Sequence, residues 1–368
     1  MTRHFHATAL IVIGALGLFF LSLALGKAPH FSAPHPANTT TVTVSPTPAA
    51  QTSFVYADNS GSYQSISSFT LQTLQKNGIY GTPVTPDTSY AAFYLYANQV
   101  FLQGLKSAGI VNLGSHFFYP ISLAQVPFSV SPSHTKALFL TSSTDPRTRI
   151  TTNHFSLQTT SATKSAALVY PAIVGNTPQP VCWSQDENTV VFTNPQKSLF
   201  FYSLNKQTAM PATLSATLSH YTHVYCNSFD NTLYFTTPAA LYKQTFTAAT
   251  PTQLPASPSV LSQIPLFSQS VSDTVLVASK GALMQVDLAK NTSKELYTAT
   301  DSATLVPYLW QGSTIVYTQQ NVTAENGQYY LAGKVLDTSR QIDTVFARHQ
   351  SASSASLGTI APIGWLEK

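Results

Sequence analysis

The stretch from residue 180 to residue 208 decides the fold: PVCWSQDENTVVFTNPQKSLFFYSLNKQT. An apolar run ends in Trp183, a polar turn follows, and two further apolar runs rich in Val, Phe and Tyr come after the turn. Short runs of β-branched and aromatic residues separated by turn residues are typical of antiparallel strands joined in sequence. The phrase therefore predicts three consecutive strands.

The same phrase returns at four other places: PFSVSPSHTKALFLTSS (127–143), HVYCNSFDNTLYFTTP (223–238), PLFSQSVSDTVLVASKG (265–281) and PYLWQGSTIVYTQQ (307–320). Equivalent second-strand positions are 53, 43, 42 and 40 residues apart, at Phe139, Phe192, Phe235, Val277 and Tyr317. A third strand follows each time, and a weaker fourth, such as KELYTA, completes the unit. Four-stranded units at this period are typical of the blades of a β-propeller, which bury their faces against one another.

Two more units precede these five. Residues 53–73 contain a second and a third strand with no first strand before them, and residues 88–113 have three strands, with GIYGTPV as their possible first. The chain ends in TIAPIGWLEK, which has the pattern of a first strand with nothing after it. We therefore expect this last strand to complete the first blade and close an all-β ring of seven blades, or six if residues 53–113 form a single blade.

The composition limits the possible functions. Charged residues make up 9% of the chain, and the net charge of +4 is spread out with no block of Lys and Arg. Nucleic-acid binding requires a concentrated basic face, so we expect no nucleic-acid partner.

The first 26 residues contain Arg3 followed by a long apolar run from about Ala7 to Gly26. About 20 apolar residues suffice to cross a bilayer, and the run is long for a signal peptide. The sequence favours an uncleaved anchor over 1–26 that exports the rest of the chain, with a cleaved signal peptide as the alternative. Residues 27–52 are rich in Pro, Ser and Thr and are predicted to be a linker before the propeller at 53–368.

The turn after Trp183 resembles the repeat of TolB-like, WD-repeat-like propellers, in which a Trp-Ser-Pro-Asp-Gly turn joins the first two strands of a blade. Trp183, Ser184 and Asp186 match that pattern, whereas Gln185 stands where Pro is usual and Glu187 where Gly is usual. Members of the family are mostly periplasmic or extracellular and bind proteins or envelope components. The resemblance therefore implies a propeller that acts outside the cytoplasm.

Trp183, Trp310 and Trp365 each fall at the end of a proposed first strand. Aromatic rings there either form a platform near the central channel or pack between blades, and packing is the commoner role.

Cys182 and Cys226 are the only two cysteines. Alignment of ENTVVF with DNTLYF sets them one position out of step, so their side chains point to opposite faces of consecutive blades. They either face each other across one gap between blades or face away. In an exported chain we expect a disulfide, with two buried thiols as the alternative.

No pattern indicates catalysis, a metal or a cofactor. His220 and His223 are an odd number of residues apart on a proposed strand, which is unsuited to a shared metal ion. Four acids recur at the same turn of successive blades and are explained as turn formers: Asp186, Glu187, Asp230 and Asp273.

The sequence is therefore interpreted as a membrane-anchored, extracytoplasmic binding module, expected to be monomeric, that recognises an envelope protein, a peptide or a glycan. The alternative is a propeller enzyme, such as a hydrolase, lyase or lactonase acting on envelope glycans or small esters. Carboxylates that converge at the channel would distinguish the enzyme from the binding module.

Overall fold

A computed structural model describes most of the chain from residue 53 onward: 53–85, 88–159, 168–169, 173–174, 179–193, 199–206, 208–211, 221–247, 250–261, 265–267, 273–299, 303–321 and 324–366. The predicted anchor at 1–26 and the predicted linker at 27–52 lie outside these residues. Among the residues described, none of the helices has the length and apolar content that crossing a bilayer requires.

The described strands form seven antiparallel sheets, the blades of a propeller. Blade 1 contains, from its first strand outward, Thr359–Trp365, Ser53–Asn59, Tyr63–Thr70 and Gln75–Pro83. Blade 2 contains Tyr90–Tyr96, Gln99–Gly104, Ala108–Asn112 and Phe118–Ile121. Blade 3 contains Pro127–Val130, Lys136–Thr144, Thr151–Thr159 and two short strands that both pair with the third, Leu168–Val169 and Ile173–Val174.

The other four blades follow in chain order. Blade 4 contains Gln179–Trp183, Thr189–Thr193, Leu199–Ser203 and Thr208–Pro211. Blade 5 contains His223–Asn227, Thr232–Thr236, Leu241–Thr245 and Thr252–Leu254. Blade 6 contains Leu266–Phe267, Thr274–Ser279, Ala282–Asp287 and Thr292–Thr298. Blade 7 contains Ala303–Gln311, Thr314–Asn321, Tyr329–Asp337 and Ile342–Ser351. Short 3₁₀ helices occupy Leu123–Gln125, Pro258–Leu261 and Ser354–Ser356.

The last strand closes the ring, as the sequence predicts. Thr359–Trp365 pairs antiparallel with Ser53–Asn59, so the end of the chain supplies the first strand of blade 1. The backbone N–H of Leu366 also donates to the carbonyl of Ser53, at 2.9 Å. Seven blades are confirmed, and the six-bladed alternative is wrong.

One strand assignment needs correction. GIYGTPV does not begin blade 2, because its residues fall at the end of Gln75–Pro83, the outer strand of blade 1. Blade 1 takes its first strand from the end of the chain, so residues 53–83 must supply the other three strands. Blade 2 therefore begins with the tyrosine-rich run Tyr90–Tyr96.

Alternating side chains of each blade are buried against the two neighbouring blades. In blade 4, Val190 and Phe192 pack towards blade 3, whereas Val191, which lies between them, packs towards blade 5. Each of the seven boundaries has its own apolar cluster among the described residues. All five aligned second-strand positions, Phe139, Phe192, Phe235, Val277 and Tyr317, are buried. The repeat in the sequence therefore marks the residues that hold the blades together.

Candidate functional site

First strands of neighbouring blades contact one another around the axis of the ring and line an open cavity of about 450 Å³. Its wall comes from blades 1 to 5 and combines apolar and hydroxyl-bearing side chains, which include Phe93, Phe128, Val181, Ile363, Ser129 and Ser228. No carboxylate, lysine or arginine belongs to the described wall. A wall of this kind suits a neutral ligand, because it offers a charged group no carboxylate, lysine or arginine as an ion-pair partner.

The first strands contain an irregularity that the sequence reasoning missed. In five blades, 1, 2, 3, 4 and 7, one residue has no partner in the second strand, which makes it a β-bulge: Ile363, Ala91, Phe128, Val181 and Tyr308. Three of these residues, Phe128, Val181 and Ile363, line the cavity. A bulge redirects the side chain of the extra residue, so these bulges contribute directly to the wall.

A signal for the bulges is present in the sequence. Proline precedes the extra residue in blades 1, 3, 4 and 7, at Pro362, Pro127, Pro180 and Pro307. Proline has no N–H to donate to the ladder and is tolerated in sheets at bulges. The Pro-apolar pair therefore marks the bulged residue in three of the five quoted phrases and in the final strand. Pro265-Leu266 is the exception, because Leu266 pairs with Leu276 without a bulge.

The cavity opens on one face of the ring, which we call the mouth face. This face carries the turns between the first and second strands of blades 2 to 5, at residues 97–98, 131–135, 184–188 and 228–231, which we call the mouth turns. Ser131, Pro132, His134 and Ser228 belong both to these turns and to the wall.

Hydrogen bonds link each mouth turn to the next. Ala97 N donates to the carbonyl of His134 at 3.2 Å, which joins blades 2 and 3. Ser133 N donates to Glu187 Oε1 at 2.9 Å between blades 3 and 4, and Gln185 N donates to Asn231 Oδ1 at 2.6 Å between blades 4 and 5. The rim of the cavity is thus fixed in place before any ligand arrives, which lowers the entropic cost of binding.

The three tryptophans have different positions. Trp183 lines the cavity, is 2% exposed, and donates its indole N–H to Ser129 Oγ at 2.8 Å. Trp365 packs edge-on against Phe54 at the boundary of blades 7 and 1. Trp310 packs at the boundary of blades 6 and 7. All three therefore contribute to packing between blades, and Trp183 also faces the axis.

Cys182 and Cys226 form a disulfide between the first strands of blades 4 and 5, with Cα atoms 6.0 Å apart. Both residues also belong to the cavity wall. Their side chains face each other across the gap between blades because they occupy registers of opposite parity, opposite Val191 and Leu233. Such bonds persist in oxidising compartments, so the disulfide indicates a location outside the cytoplasm.

The two acids of the blade 4 turn have structural partners. Asp186 accepts hydrogen bonds from Ser184 Oγ at 2.5 Å and from Asn188 N at 3.1 Å, and the Ser184 hydroxyl is the main cause of its lowered pKa. The side chain of Glu187 accepts a hydrogen bond from the backbone N–H of Ser133 in the neighbouring turn. Neither side chain belongs to the cavity wall.

The other two turn acids lie near each other at the boundary of blades 5 and 6. Asp273 accepts a hydrogen bond from Tyr234 Oη at 2.9 Å and forms an ion pair with Lys243. Burial, with a further contribution from the charge of Asp273, raises the pKa of Asp230. The pair is part of the blade boundary and is absent from the cavity wall.

The histidine pair does not form a described site. His220 lies outside the described residues, and His223 is an exposed residue at the start of its strand. Among the residues that the structure describes, no group of three or more His, Cys, Asp or Glu side chains is placed to hold a metal ion.

No family model and no curated protein sequence matches the chain. Among solved structures, a TolB from Agrobacterium tumefaciens aligns at 8% identity and a TM-score of 0.37, over 86% of this chain and all of that one. The tricorn protease aligns at 9% identity and a TM-score of 0.44, over 77% of this chain and 34% of its own. An uncharacterised Listeria monocytogenes protein, lmo1340, aligns at 13% identity and a TM-score of 0.44, over 80% of this chain and 91% of that one. The chain resembles TolB-like and tricorn-type β-propellers in structure, and identities this low give no ground for transferring an activity.

Proposed function

We propose that the protein is an extracytoplasmic binding module that takes its ligand at the mouth face, over the axial cavity. The observation that carries the proposal is the wall itself, in which aromatic and apolar side chains alternate with serine hydroxyls and no carboxylate is present among the described wall residues. Such a wall offers contact area and a few hydrogen bonds, which suits recognition. The disulfide supports placement in an oxidising compartment.

The ligand classes that fit are an uncharged segment of an envelope protein, a peptide or a glycan. The apolar run at 1–26 supports a membrane anchor as the means by which the module is held at the envelope. An enzymatic role is the less favoured candidate, because glycoside cleavage uses a pair of carboxylates on either side of the bond. The turn acids nearest the mouth, Asp186 and Glu187, are instead engaged in hydrogen bonds of the turns.

The proposal can be tested by filling the cavity with a bulky side chain. Ser228→Trp places a bulky ring in the wall, and Ser293→Trp places the same ring on an exposed outer strand of blade 6 as the matched control. The wild-type chain and both variants, in non-ionic detergent, are used to capture components from an envelope extract, with heat-denatured protein as the background. Circular dichroism melts establish that each variant is folded, and Pro132→Trp, also in the wall, serves as a second block.

We expect at least one component of the extract to be captured by the wild type and by Ser293→Trp, and not by either wall variant. Retention of every captured component by folded wall variants would contradict the proposal. Turnover of neutral polysaccharides or small lactones by the wild type, with loss of that turnover in Ser228→Trp, would instead support the enzyme.

A further inference from the structure

The face opposite the mouth face carries a projecting hairpin of blade 3. Its strands, Lys136–Thr144 and Thr151–Thr159, are nine residues each, whereas the first strand of the blade pairs only as far as Phe139. Residues 141–150 are exposed throughout. The hairpin therefore extends past the first strand of the blade, and its tip, residues 144–151, lies beyond the last described pair with the outer strand, Thr152 with Val174.

The tip of this hairpin is ordered by its own hydrogen bonds. Asp145 Oδ1 accepts from the backbone N–H groups of Arg147 at 2.7 Å and Thr148 at 3.2 Å. The backbone N–H of Asp145 donates to the carbonyl of Ile150, and that of Arg149 donates to the carbonyl of Asp145. The backbone N–H groups of Arg147 and Thr148, which donate to the carboxylate, also lower the pKa of Asp145. Asp145 closes the turn through these bonds and forms no ion pair with Arg147 or Arg149, although its ionised carboxylate offsets one of their two positive charges.

The tip concentrates positive charge on a chain that has little charge elsewhere. Arg147 and Arg149 form no ion pair with any described residue. By contrast, Arg340 pairs with Asp337, and Arg348 stacks over the ring of Tyr330. Two guanidinium groups are thus presented on an ordered support, and neither forms an ion pair within the part of the chain that the structure describes.

Apolar side chains accompany the two arginines. Ile150, in the same turn, is 49% exposed. On the neighbouring blade 2, the turn between the second and third strands leaves the same face and carries Leu105, which is 95% exposed, next to Lys106. These basic and apolar residues lie on the same face of neighbouring blades, and we call the five of them the tip surface: Leu105, Lys106, Arg147, Arg149 and Ile150.

We propose that the tip surface is a second binding surface, which docks an acidic segment of a protein partner that also carries apolar side chains. Arginine forks match carboxylates in a bidentate way, and three cations that form no ion pair with a described residue supply the charge complementarity. The exposed Leu105 and Ile150 fit a polypeptide better than a polyphosphate, which has no apolar groups to cover them.

The test uses the full chain in non-ionic detergent and three polymers of known composition as probes: a random copolymer of glutamate and tyrosine, polyglutamate, and inorganic polyphosphate. Binding is measured by fluorescence anisotropy of the labelled polymer. The variant is Arg147→Gln/Arg149→Gln, and the matched control is Lys206→Gln/Lys294→Gln, which removes two exposed, unpaired lysines and so makes the same change in net charge. Ile150→Ser tests the apolar contribution separately.

We expect the glutamate–tyrosine copolymer to bind most tightly, with affinity that falls as salt is raised from about 50 to about 300 mM. The arginine variant should weaken this binding by at least about tenfold while the lysine control stays near the wild type. Ile150→Ser should reduce the preference for the copolymer over polyglutamate. Equal weakening by the arginine and lysine variants would overturn the proposal, because the binding would then follow net charge alone. Tighter binding of polyphosphate that depends on Arg147 and Arg149 would overturn the choice of a protein partner.

Discussion

The side chain of Glu187 crosses a blade boundary and accepts, at Oε1, a hydrogen bond of 2.9 Å from the backbone N–H of Ser133. Glu187 has a left-handed backbone conformation, with a φ of +53°, at the position where the related turn pattern usually has glycine. A side chain in this conformation costs roughly 1–2 kcal/mol. The contact with Ser133 offsets part of that cost and ties blade 3 to blade 4 at the rim of the cavity.

Two substitutions of Glu187 separate these effects. Glu187→Ala loses the hydrogen bond and keeps the strained backbone, so we expect a loss of about 1–3 kcal/mol in the free energy of unfolding. Glu187→Gly loses the same bond but relieves the backbone, and should recover about 1 kcal/mol relative to alanine. Urea denaturation followed by tryptophan fluorescence measures both. Equal losses in the two variants would show that backbone strain plays no part.

The disulfide between Cys182 and Cys226 closes a loop with a sequence separation of 44 residues. In the chain-entropy model, a loop of this size stabilises the folded state by about 4 kcal/mol. We expect Cys182→Ser/Cys226→Ser to unfold at a correspondingly lower urea concentration. A thiol reagent added to the denatured, unreduced wild type should label no cysteine, and prior reduction should expose both. Two reactive thiols without reduction would contradict the bridge.

The junction of blades 7 and 1 contains an ion pair whose strength depends on pH. Asp58 Oδ1 lies 2.6 Å from His349 Nε2, and Asp58 Oδ2 lies 3.5 Å from Lys76 Nζ. Burial alone would raise the pKa of Asp58, but the hydrogen bond and charge of His349 and the nearby Lys76 outweigh it, so the pKa is lowered in the folded state. The ionised Asp58 carboxylate therefore stabilises the folded state fully above about pH 4, which is the pKa of this group in the unfolded chain. This stabilisation is lost as the pH falls through the lower pKa that Asp58 has in the folded state.

Asp58→Asn should consequently reduce the free energy of unfolding by about 1–3 kcal/mol at neutral pH, and by progressively less as the pH falls below about 4. Glu295→Gln, an exposed residue of an outer strand, is the control and should change stability by no more than about 0.5 kcal/mol. Urea denaturation at several pH values gives the comparison. A deficit in Asp58→Asn that persists undiminished at acid pH would show that the carboxylate charge is not responsible.

Two glycines near the closing strand differ in a way that can be tested. Gly358 and Gly61 both have positive φ, of +78° and +88°. A Cβ atom on Gly358 would lie 1.9 Å from the carbonyl oxygen of Asn59, whereas one on Gly61 would meet nothing within 4 Å. Gly61→Ala should therefore cost only the backbone strain of about 1–2 kcal/mol, and Gly358→Ala at least about 3 kcal/mol. Thermal melts that place the two variants at the same temperature would refute the close approach.

The architecture was accessible from the sequence because each blade repeats the same buried second-strand position, from Phe139 to Tyr317. The closure of the ring could be predicted because the first unit lacks a first strand, and the end of the chain has the pattern of a first strand with no others after it. The boundary between blades 1 and 2 was misassigned because Gln75–Pro83 is mostly exposed and glycine-containing, so it has little of the alternation that identifies a strand.

The candidate site was harder to predict. Its wall depends on bulged residues such as Val181, and a bulge shifts the alternation of side chains by one position in a way that hydrophobic periodicity does not reveal. The links between mouth turns depend on which backbone N–H meets which side chain in the next blade, as in Gln185 to Asn231. Such contacts join residues that are far apart in sequence, and no local pattern encodes them.

The first strand of blade 1, Thr359–Trp365, is synthesised last, although the strand that it pairs with, Ser53–Asn59, is the first strand of the propeller to be synthesised. Blade 1 therefore cannot be completed until the whole chain has been made. In the nascent chain, Ser53–Asn59 lacks its first-strand neighbour until the final residues have been added. Phe54 remains without the ring of Trp365 for the same interval. Synthesis must therefore finish before the ring can close, and a chain cut before Thr359 would leave Ser53–Asn59 as an unpaired edge strand that is prone to aggregation.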